Sequence, residues 1–324
     1  LQVTRAMMDR IIGIERIELL VEEVAALVRR TLGYDRVMVY EFARDGSGKV
    51  VAEQKAEHLE SFLGQHFPAS DIPAQARALY LRSTIRVITD AAGERVTLVP
   101  ALLDDAPLDL SQAHLRAVSP IHCEYLRNMG VSASMSISII VDGALWGLVA
   151  CHHYAPRILT MSDRVAAEMF GEFLSLHLGT LLRKRKLDAA SAIRAQLDRL
   201  SRLTGMEDIG AMLRGRLGDF MGMIPSDGIA IMLEGELRTL GSVPEPAQIE
   251  SLAQGIGERA AGGVWVSDSL VGPFPEAEAY HHLAAGVLAL PLSQIPRDWM
   301  LFFRREQIQT LNWAGNPDKT YDTG

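Results

Sequence analysis

Apolar residues recur at helical spacing from Ile17 to Leu32: Ile17, Leu20, Val21, Val24 and Val28. That period predicts an amphipathic helix, and Gly33 behind it offers a C-terminal stop. From Arg36 to Phe42, with Val37, Val39 and Tyr40, the chain reads as a strand. Asp45-Gly46-Ser47-Gly48 is a turn, and Lys49 to Glu53 is the return strand. An irregular region follows, holding Phe67-Pro68-Ala69-Ser70-Asp71-Ile72-Pro73. Helices are expected from Pro73 to Leu81 and from Ser111 to Met129. Proline suits the first of them because the first helical turn needs no N–H donor. Asp142-Gly143 sits between two strands, Ser132 to Val141 and Ala144 to His153, which is a strong hairpin pattern. The order predicts an α+β domain in which helices cover one antiparallel sheet.

A helical pattern without proline then runs from Ser162 to Leu203, and Gly205 offers an end. At 1.5 Å per residue this is roughly 60 Å, a length that reads as a spine or a dimer seam. Arg183-Lys184-Arg185-Lys186 lies within it and reads as a solvated face. The remainder repeats the first plan: helix from Met206 to Met221, strands Gly228 to Leu233 and Leu237 to Gly241, helix Pro246 to Ala261, strands Val287 to Leu292 and Trp299 to Arg304. The expected architecture is therefore two antiparallel sheets of one class, each flanked by helices and joined by a long continuous helix.

One strand departs from ordinary core chemistry. Ser132, Ser134, Ser136 and Ser138 occupy every second position, so they share a face, while Ala133, Met135, Ile137 and Ile139 take the other. A row of small hydroxyls makes a shallow polar floor suited to an anion. Composition sets the wider limits. The chain has 324 residues, which favours two domains, and 48% apolar and 22% charged residues are ordinary for a globular protein. A net charge of −8 argues against a general nucleic-acid surface. No apolar run reads as a membrane span and no signal peptide is visible. The first residue is leucine, which suggests a fragment. Two cysteines, Cys123 and Cys151, give no disulfide framework, and a reducing cytoplasmic setting is expected.

Several residues suit binding. Arg86 and Arg116 present forks that match carboxylates, with surface ion pairing as the alternative. His122 and His152 are ligand candidates or satisfied core histidines. Cys151-His152-His153 invites a metal, but neighbours on a strand diverge, so no metal site is expected. Asp71 is a helix cap or a carboxylate held in a pocket. Tyr40, Phe67, Tyr80 and Tyr125 are core aromatics or the walls of a flat conjugated ligand. Cys123 beside His122 is poorly placed for proton transfer, and no catalytic motif stands out, so the chain is not expected to be an enzyme.

Taken together, Pro68-Ala69-Ser70-Asp71-Ile72-Pro73, Ser119-Pro120-Ile121-His122, Tyr125-Leu126-Arg127-Asn128-Met129-Gly130 and Leu145 to His153 closely resemble the bacterial phytochromes, red-light photoreceptors that bind a linear tetrapyrrole. Pro296-Arg297-Asp298-Trp299 and Trp313-Ala314-Gly315-Asn316-Pro317 look like the start of that family's tongue. The resemblance implies a chromophore-binding GAF domain over 1–161, a connecting helix over 162–205 and a PHY domain over 206–324, truncated within the tongue. It implies biliverdin as cofactor, with the Asp71 carbonyl and His122 serving the pyrrole nitrogens. Arg86 and Arg116 would hold one propionate; Ser134, Ser136 and His122 would hold the other. Tyr40, Phe67 and Tyr125 would wall the terminal ring, Tyr80 would line the pocket and His152 would bond the ring carbonyl. Ile72, Pro73 and Ser119, in the same motifs, complete the implied set. The family's attachment cysteine lies in a preceding PAS domain, or in plant and cyanobacterial members at the position of Ile121. Its absence from this chain implies either a missing segment or noncovalent capture. A homodimer through the long helix is implied, along with an output domain or response regulator outside the chain. Without the resemblance, a GAF-type sensor of a cyclic nucleotide or small anion fits the same arginines and serines, and so does a dimerisation unit with no ligand.

One register conflict remains. A two-residue Asp142-Gly143 turn pairs residues whose numbers sum to 285, which sets Ser134 against Cys151 and puts His153 on the serine face. The resemblance needs His152 there, so a bulge or an odd-length loop is predicted in this hairpin.

Overall fold

The computed structural model describes residues 2–100, 102, 105–106, 108–111, 113, 116–203, 209–260, 263–293 and 298–307, without side chains at 196, 197 and 200–203. Pro296, Arg297, the start of the predicted helix at Met206 and the segment from Trp313 to Pro317 lie outside the described residues. Two compact units are present, the first reaching to Lys186 and the second beginning at Leu187.

In the first unit, α1 (Gln2–Ile11) and α2 (Ile17–Leu32) precede β1 (Arg36–Phe42), β2 (Gly48–Lys55) and β3 (His66–Phe67). Then come α3 (Ala74–Arg82), β4 (Ile85–Ile88), α4 (Pro120–Asn128), β5 (Ala133–Val141), β6 (Ala144–His153) and α5 (Met161–Leu203), which belongs to this unit as far as Lys186. The six strands pair antiparallel in the order β3-β2-β1-β6-β5-β4. The core forms where the predicted stripe of α2 and the odd positions of β5 meet α5. Leu20, Val24, Val28, Met135, Ile137, Ile139, Phe170, Leu174 and Leu178 are all buried there. Each such side chain stabilises the fold by about 1.5–3 kcal/mol. Gly33 ends α2 at φ 67°, and its N–H closes on the Arg29 carbonyl.

The hairpin contains the predicted irregularity. Asp142 and Gly143 keep a two-residue turn with φ of 51° and 78°. Val141 pairs Ala144 and Ile140 pairs Leu145, but Ile139 pairs Gly147, leaving Trp146 as an extra residue. The bulge shifts every later pair by one, so Ser134 faces His152. A bulge takes a backbone group off the ladder, and here the Ile140 N–H is accepted by the Ser175 Oγ of α5 at 3.0 Å. Ser175 in turn donates to the Gly171 carbonyl at 2.8 Å. Gly171 brings the helix close: a Cβ there would lie 2.3 Å from Ile137 Cγ2. Ser175→Ala leaves the Ile140 N–H without its partner and is expected to cost about 1–3 kcal/mol. Denaturation of the ligand-free protein, with hydrogen exchange at Ile140, measures this. An unchanged midpoint and a still-protected amide would refute it.

Helix α5 runs for 43 residues as one element. The stretch Met161–Ala195 is, by length and composition alone, apolar enough to cross a membrane, which the sequence reading did not anticipate. Phe170, Leu174, Leu178 and Leu181 are buried against the sheet, which accounts for much of that apolar character. The basic run is exposed, as expected, with Arg183 on Asp142 at 2.7 Å and Lys184 on Glu15 at 3.0 Å.

The helix expected from Ser111 begins only at Pro120. Proline disfavours helical backbone in the residue before it, and Ser119 is extended at ψ 131°. Upstream, the Asp109 carboxylate takes the Ser111 N–H at 2.8 Å in a side-chain turn. Helix α1 and strands β3 and β4 are elements the sequence reading did not place.

The second unit adds α6 (Ile209–Gly215), α7 (Leu217–Met223), β7 (Gly228–Leu233), β8 (Glu236–Gly241), α8 (Pro246–Arg259), β9 (Trp265–Ser267), β10 (Gly286–Pro291) and β11 (Trp299–Arg304). Its five antiparallel strands follow the order β8-β7-β11-β10-β9, so the second sheet is of the same class as the first. A capping box joins Glu245 and Gln248 at the start of α8. The single helix expected from Met206 to Met221 is divided at Arg216, which lies between α6 and α7.

Candidate functional site

The face of the first sheet opposite α5 carries the candidate site. Residues paired directly across antiparallel strands share a face, and three rows result. Arg36, His152, Ser134 and Ile88 make the first row; Met38, Ala150, Ser136 and Arg86 make the second. Tyr40, Leu148 and Ser138 make the third. Strand β4 therefore sets Arg86 beside Ser136, a placement its four residues do not advertise. His153 turns to the other face, where its Nδ1 lies 2.8 Å from Asp35 Oδ2. Cys151 is buried in the core on that same side.

The serine row is not uniform. Ser134 and Ser136 are half-buried and face the site. Ser138 is buried and donates to the Tyr80 carbonyl at 2.8 Å, so it pins α3 to the sheet and is not open floor. Ser132 precedes the strand and donates to the Tyr154 carbonyl at 3.3 Å.

Around the floor, Tyr40, Phe67 and Tyr80 are buried in one cluster, with Ile72 packed against it. The Tyr40 ring meets Phe42 edge-on at 5.0 Å and tilts against Phe67 at 5.9 Å. The Arg86 guanidinium lies 5.0 Å from the centre of the Tyr80 ring. On α4, His122 stacks on Tyr125 at 6.3 Å. The Tyr125 hydroxyl donates to Asp71 Oδ2 at 3.2 Å, joining α4 to the loop before α3. Asp71 is thus not a helix cap; Pro73 holds the N-cap position of α3 without a side-chain bond. Pro73 and Ser119 are exposed at the starts of α3 and α4. Arg116 donates to the Ala113 carbonyl at 2.6 Å.

Charge is concentrated here. Burial holds the Arg86 guanidinium below its ordinary pKa, and the Arg116 charge adds to that. Burial, then Arg86, also lowers His122. His152 is pushed down to about 3 by burial, then by Arg36 and His122, so it is neutral at physiological pH. Burial and the Asp71 charge raise the Tyr40 phenol.

Among the described residues, the buried polar atoms on this face without a hydrogen-bond partner are Arg86 Nε and Nη2, Arg36 Nε, His152 Nδ1 and Tyr40 Oη, and Ser70 Oγ in the loop before α3 is in the same condition. Leaving a buried donor unpaired costs about 1–3 kcal/mol. Those of Arg86, His152 and Tyr40 share one face beside aromatic side chains, which fits a flat conjugated ligand with a carboxylate and a carbonyl. Ser70, Arg36 and Glu53 were not singled out from the sequence. Ser70 lay inside a quoted motif; the other two carried no local sign. Among the described residues no group of three or more His, Cys, Asp or Glu side chains is placed to hold a metal ion.

The depressed His152 gives a pH signature. Its folded pKa lies near 3 against an ordinary 6.5, so its share of stability is intact above about pH 6.5. As pH falls from there towards 3, the unfolded chain takes up a proton that folded His152 refuses. Stability then drops by about 1.4 kcal/mol per pH unit from this residue. Urea denaturation of ligand-free wild type and His152→Gln between pH 7.5 and 4.5 tests this. Equal slopes in the two proteins would contradict it.

The family profile for the GAF domain matches residues 16–178, and that described as the phytochrome region matches 193–324. A cyanobacterial phytochrome B from Nostoc sp. is 38% identical over 300 residues, spanning 91% of this chain and 40% of the relative. A bacteriophytochrome from Xanthomonas campestris pv. campestris is 37% identical over 308 residues, spanning 91% of this chain and 48% of the relative. The crystal structure of a bacteriophytochrome from R. palustris superposes with a TM-score of 0.90 at 36% identity, covering 100% of this chain and 66% of that one. The photosensory core module of a Stigmatella aurantiaca phytochrome gives a TM-score of 0.84 at 36% identity, covering 98% of this chain and 63% of that one. The chain thus spans less than half the length of those two curated relatives. With the GAF and phytochrome-region models matched over most of its length, and phytochromes at 36–38% identity, the chain belongs to the phytochrome family.

Proposed function

We propose that this chain is the photosensory part of a red/far-red light receptor and holds biliverdin on the serine face of its first sheet. The observation that carries the reading is the set of buried, unpartnered atoms of Arg86, His152 and Tyr40 on that face. When bound, the tetrapyrrole supplies light absorption and isomerisation at its terminal ring. Arg86 and Arg116 bind one propionate, and Ser134, Ser136 and His122 bind the other. The Asp71 carbonyl and His122 serve the pyrrole nitrogens. His152, kept neutral by burial, donates to the terminal carbonyl. Tyr40, Phe67 and Tyr125 exclude water around that ring, and Tyr80 lines the pocket.

In this reading 1–161 is the chromophore-binding domain, 162–205 the connecting helix and 206–324 the PHY domain. The chain signals from the cytoplasm to an output domain or response regulator and is not itself an enzyme. A second copy of the chain pairs along α5. Met161, Val165, Met169 and Leu176 are exposed there and, at 100° per residue, fall within an arc of about 80°.

The test is to mix the purified chain with biliverdin and record the visible spectrum before and after red light. A sharpened far-red band that photoconverts reversibly is expected. Denaturation in acid with zinc-stained electrophoresis then distinguishes covalent from noncovalent capture. A protein that stays colourless would count against the reading and favour a sensor of another small anion.

A further inference from the structure

Tyr40 is held between two glycines, one on each neighbouring strand. On β2, a Cβ placed on Gly48 would lie 2.0 Å from Tyr40 Cζ, 2.1 Å from Cε1 and 2.3 Å from the hydroxyl oxygen. On β6, a Cβ on Gly147 would lie 2.2 Å from the Tyr40 carbonyl oxygen. Neither glycine has a positive φ, so neither is needed for backbone conformation. What the two positions require is space. A glycine inside a strand commonly marks such a close approach.

The register explains why the ring falls there. Between Val39 and Tyr40 the β1–β2 ladder shifts, so that Val39 pairs Ala52 while Tyr40 pairs Val50. Val51 is the extra residue, and the shift brings Gly48 onto the same face two positions from the partner of Tyr40. The ring then lies across Gly48, with Phe42 and Phe67 against it. Its hydroxyl remains buried without a partner on the binding face.

We propose that Gly48 is a positioning residue for the pocket. By carrying no side chain it provides the seat of the Tyr40 ring, and so sets how far that ring and its hydroxyl intrude on the ligand's terminal ring. The inference deepens the photoreceptor reading and rests on it for the role of Tyr40 towards the ligand. The seat itself is a property of this chain alone. Any side chain at 48 displaces the phenol towards the ligand or forces the two strands apart.

The experiment compares four proteins: wild type, Gly48→Ala, Tyr40→Ala and the double variant. Two quantities are read: the thermal midpoint without ligand, and the fraction photoconverted by saturating red light after loading with biliverdin. Gly48→Ala is expected to lower the wild-type midpoint by about 5 °C or more, as overpacking does. It is also expected to remove most of the photoconversion while the far-red band persists. In the Tyr40→Ala background the same change is expected to alter neither quantity. Equal losses in both backgrounds, or no loss in wild type, would overturn the proposal. If Gly48→Ala does not fold, a folded double variant supports it and an unfolded one overturns it. If wild type takes up no biliverdin, the photoreceptor reading fails, and the midpoints of the four ligand-free proteins still decide the seat.

Discussion

Glu53→Gln is expected to destabilise the first unit by about 3–5 kcal/mol, a fall in thermal midpoint of roughly 10 °C. Arg36 on β1 and Glu53 on β2 form an ion pair whose side chains are 2% and 3% exposed. Both groups make further contacts, although Arg36 Nε is buried without a hydrogen-bond partner. Arg36 Nη2 donates to the Glu60 carbonyl at 2.7 Å, and its guanidinium sits 3.9 Å from the centre of the Phe62 ring. The Glu53 carboxylate takes the Ser61 hydroxyl at 2.6 Å and the Phe62 N–H at 3.1 Å. Glutamine keeps the shape and removes the charge, leaving a guanidinium buried without its counterion. Removing one partner of such a pair costs far more than replacing both. The double variant Arg36→Met with Glu53→Leu is therefore expected to recover most of the loss. Thermal denaturation of the ligand-free single and double variants decides it. A single variant within about 1 kcal/mol of wild type would show that water reaches the pair.

Arg86→Met is expected to move affinity and stability in opposite directions. The guanidinium has two buried nitrogens with no partner, and burial with the neighbouring Arg116 already disfavours its charge. Without ligand it is a net cost, so methionine is expected to raise the midpoint by about 2–4 °C. With ligand, the loss of charge-assisted bonds to a carboxylate is expected to weaken biliverdin binding about 10- to 100-fold. Titration and melting of the same two proteins suffice. A lower ligand-free midpoint would mean that Arg86 is satisfied within the chain and is not waiting for an anion. Because Ser136 lies directly opposite, Ser136→Ala is the milder control on the same row.

Much of this fold was legible because its signals are local. The stripe of α2, the bounds of β1, β6, β7 and β11 and the long α5 follow from period and glycine punctuation. The bulge at Trp146 was legible for a different reason: two requirements on one hairpin, turn length and the side occupied by histidine, could not both hold in a regular ladder. What escaped was short or remote. Strand β4 is four residues with no alternation to read, yet it carries Arg86. The helix expected from Ser111 starts only at Pro120, because proline keeps the residue before it out of helical backbone. Arg36 and Glu53 are 17 residues apart and each looks like a surface charge until two strands bring them together. Ser138 has the same spacing as Ser134 and Ser136, but it meets α3, and only the packing of that helix tells the floor from the clamp.

The environments of the two cysteines differ enough to be useful at the bench. Cys151 is sealed in the core, where burial raises its thiol pKa and keeps reagents away. Cys123 is only partly covered, on α4, next in sequence to His122. Mild alkylation with a maleimide dye should therefore mark the folded chain at one place without any engineered residue, on the helix that carries His122 and Tyr125. An environment-sensitive fluorophore there becomes an optical gauge of ligand entry that needs no absorption from the ligand itself.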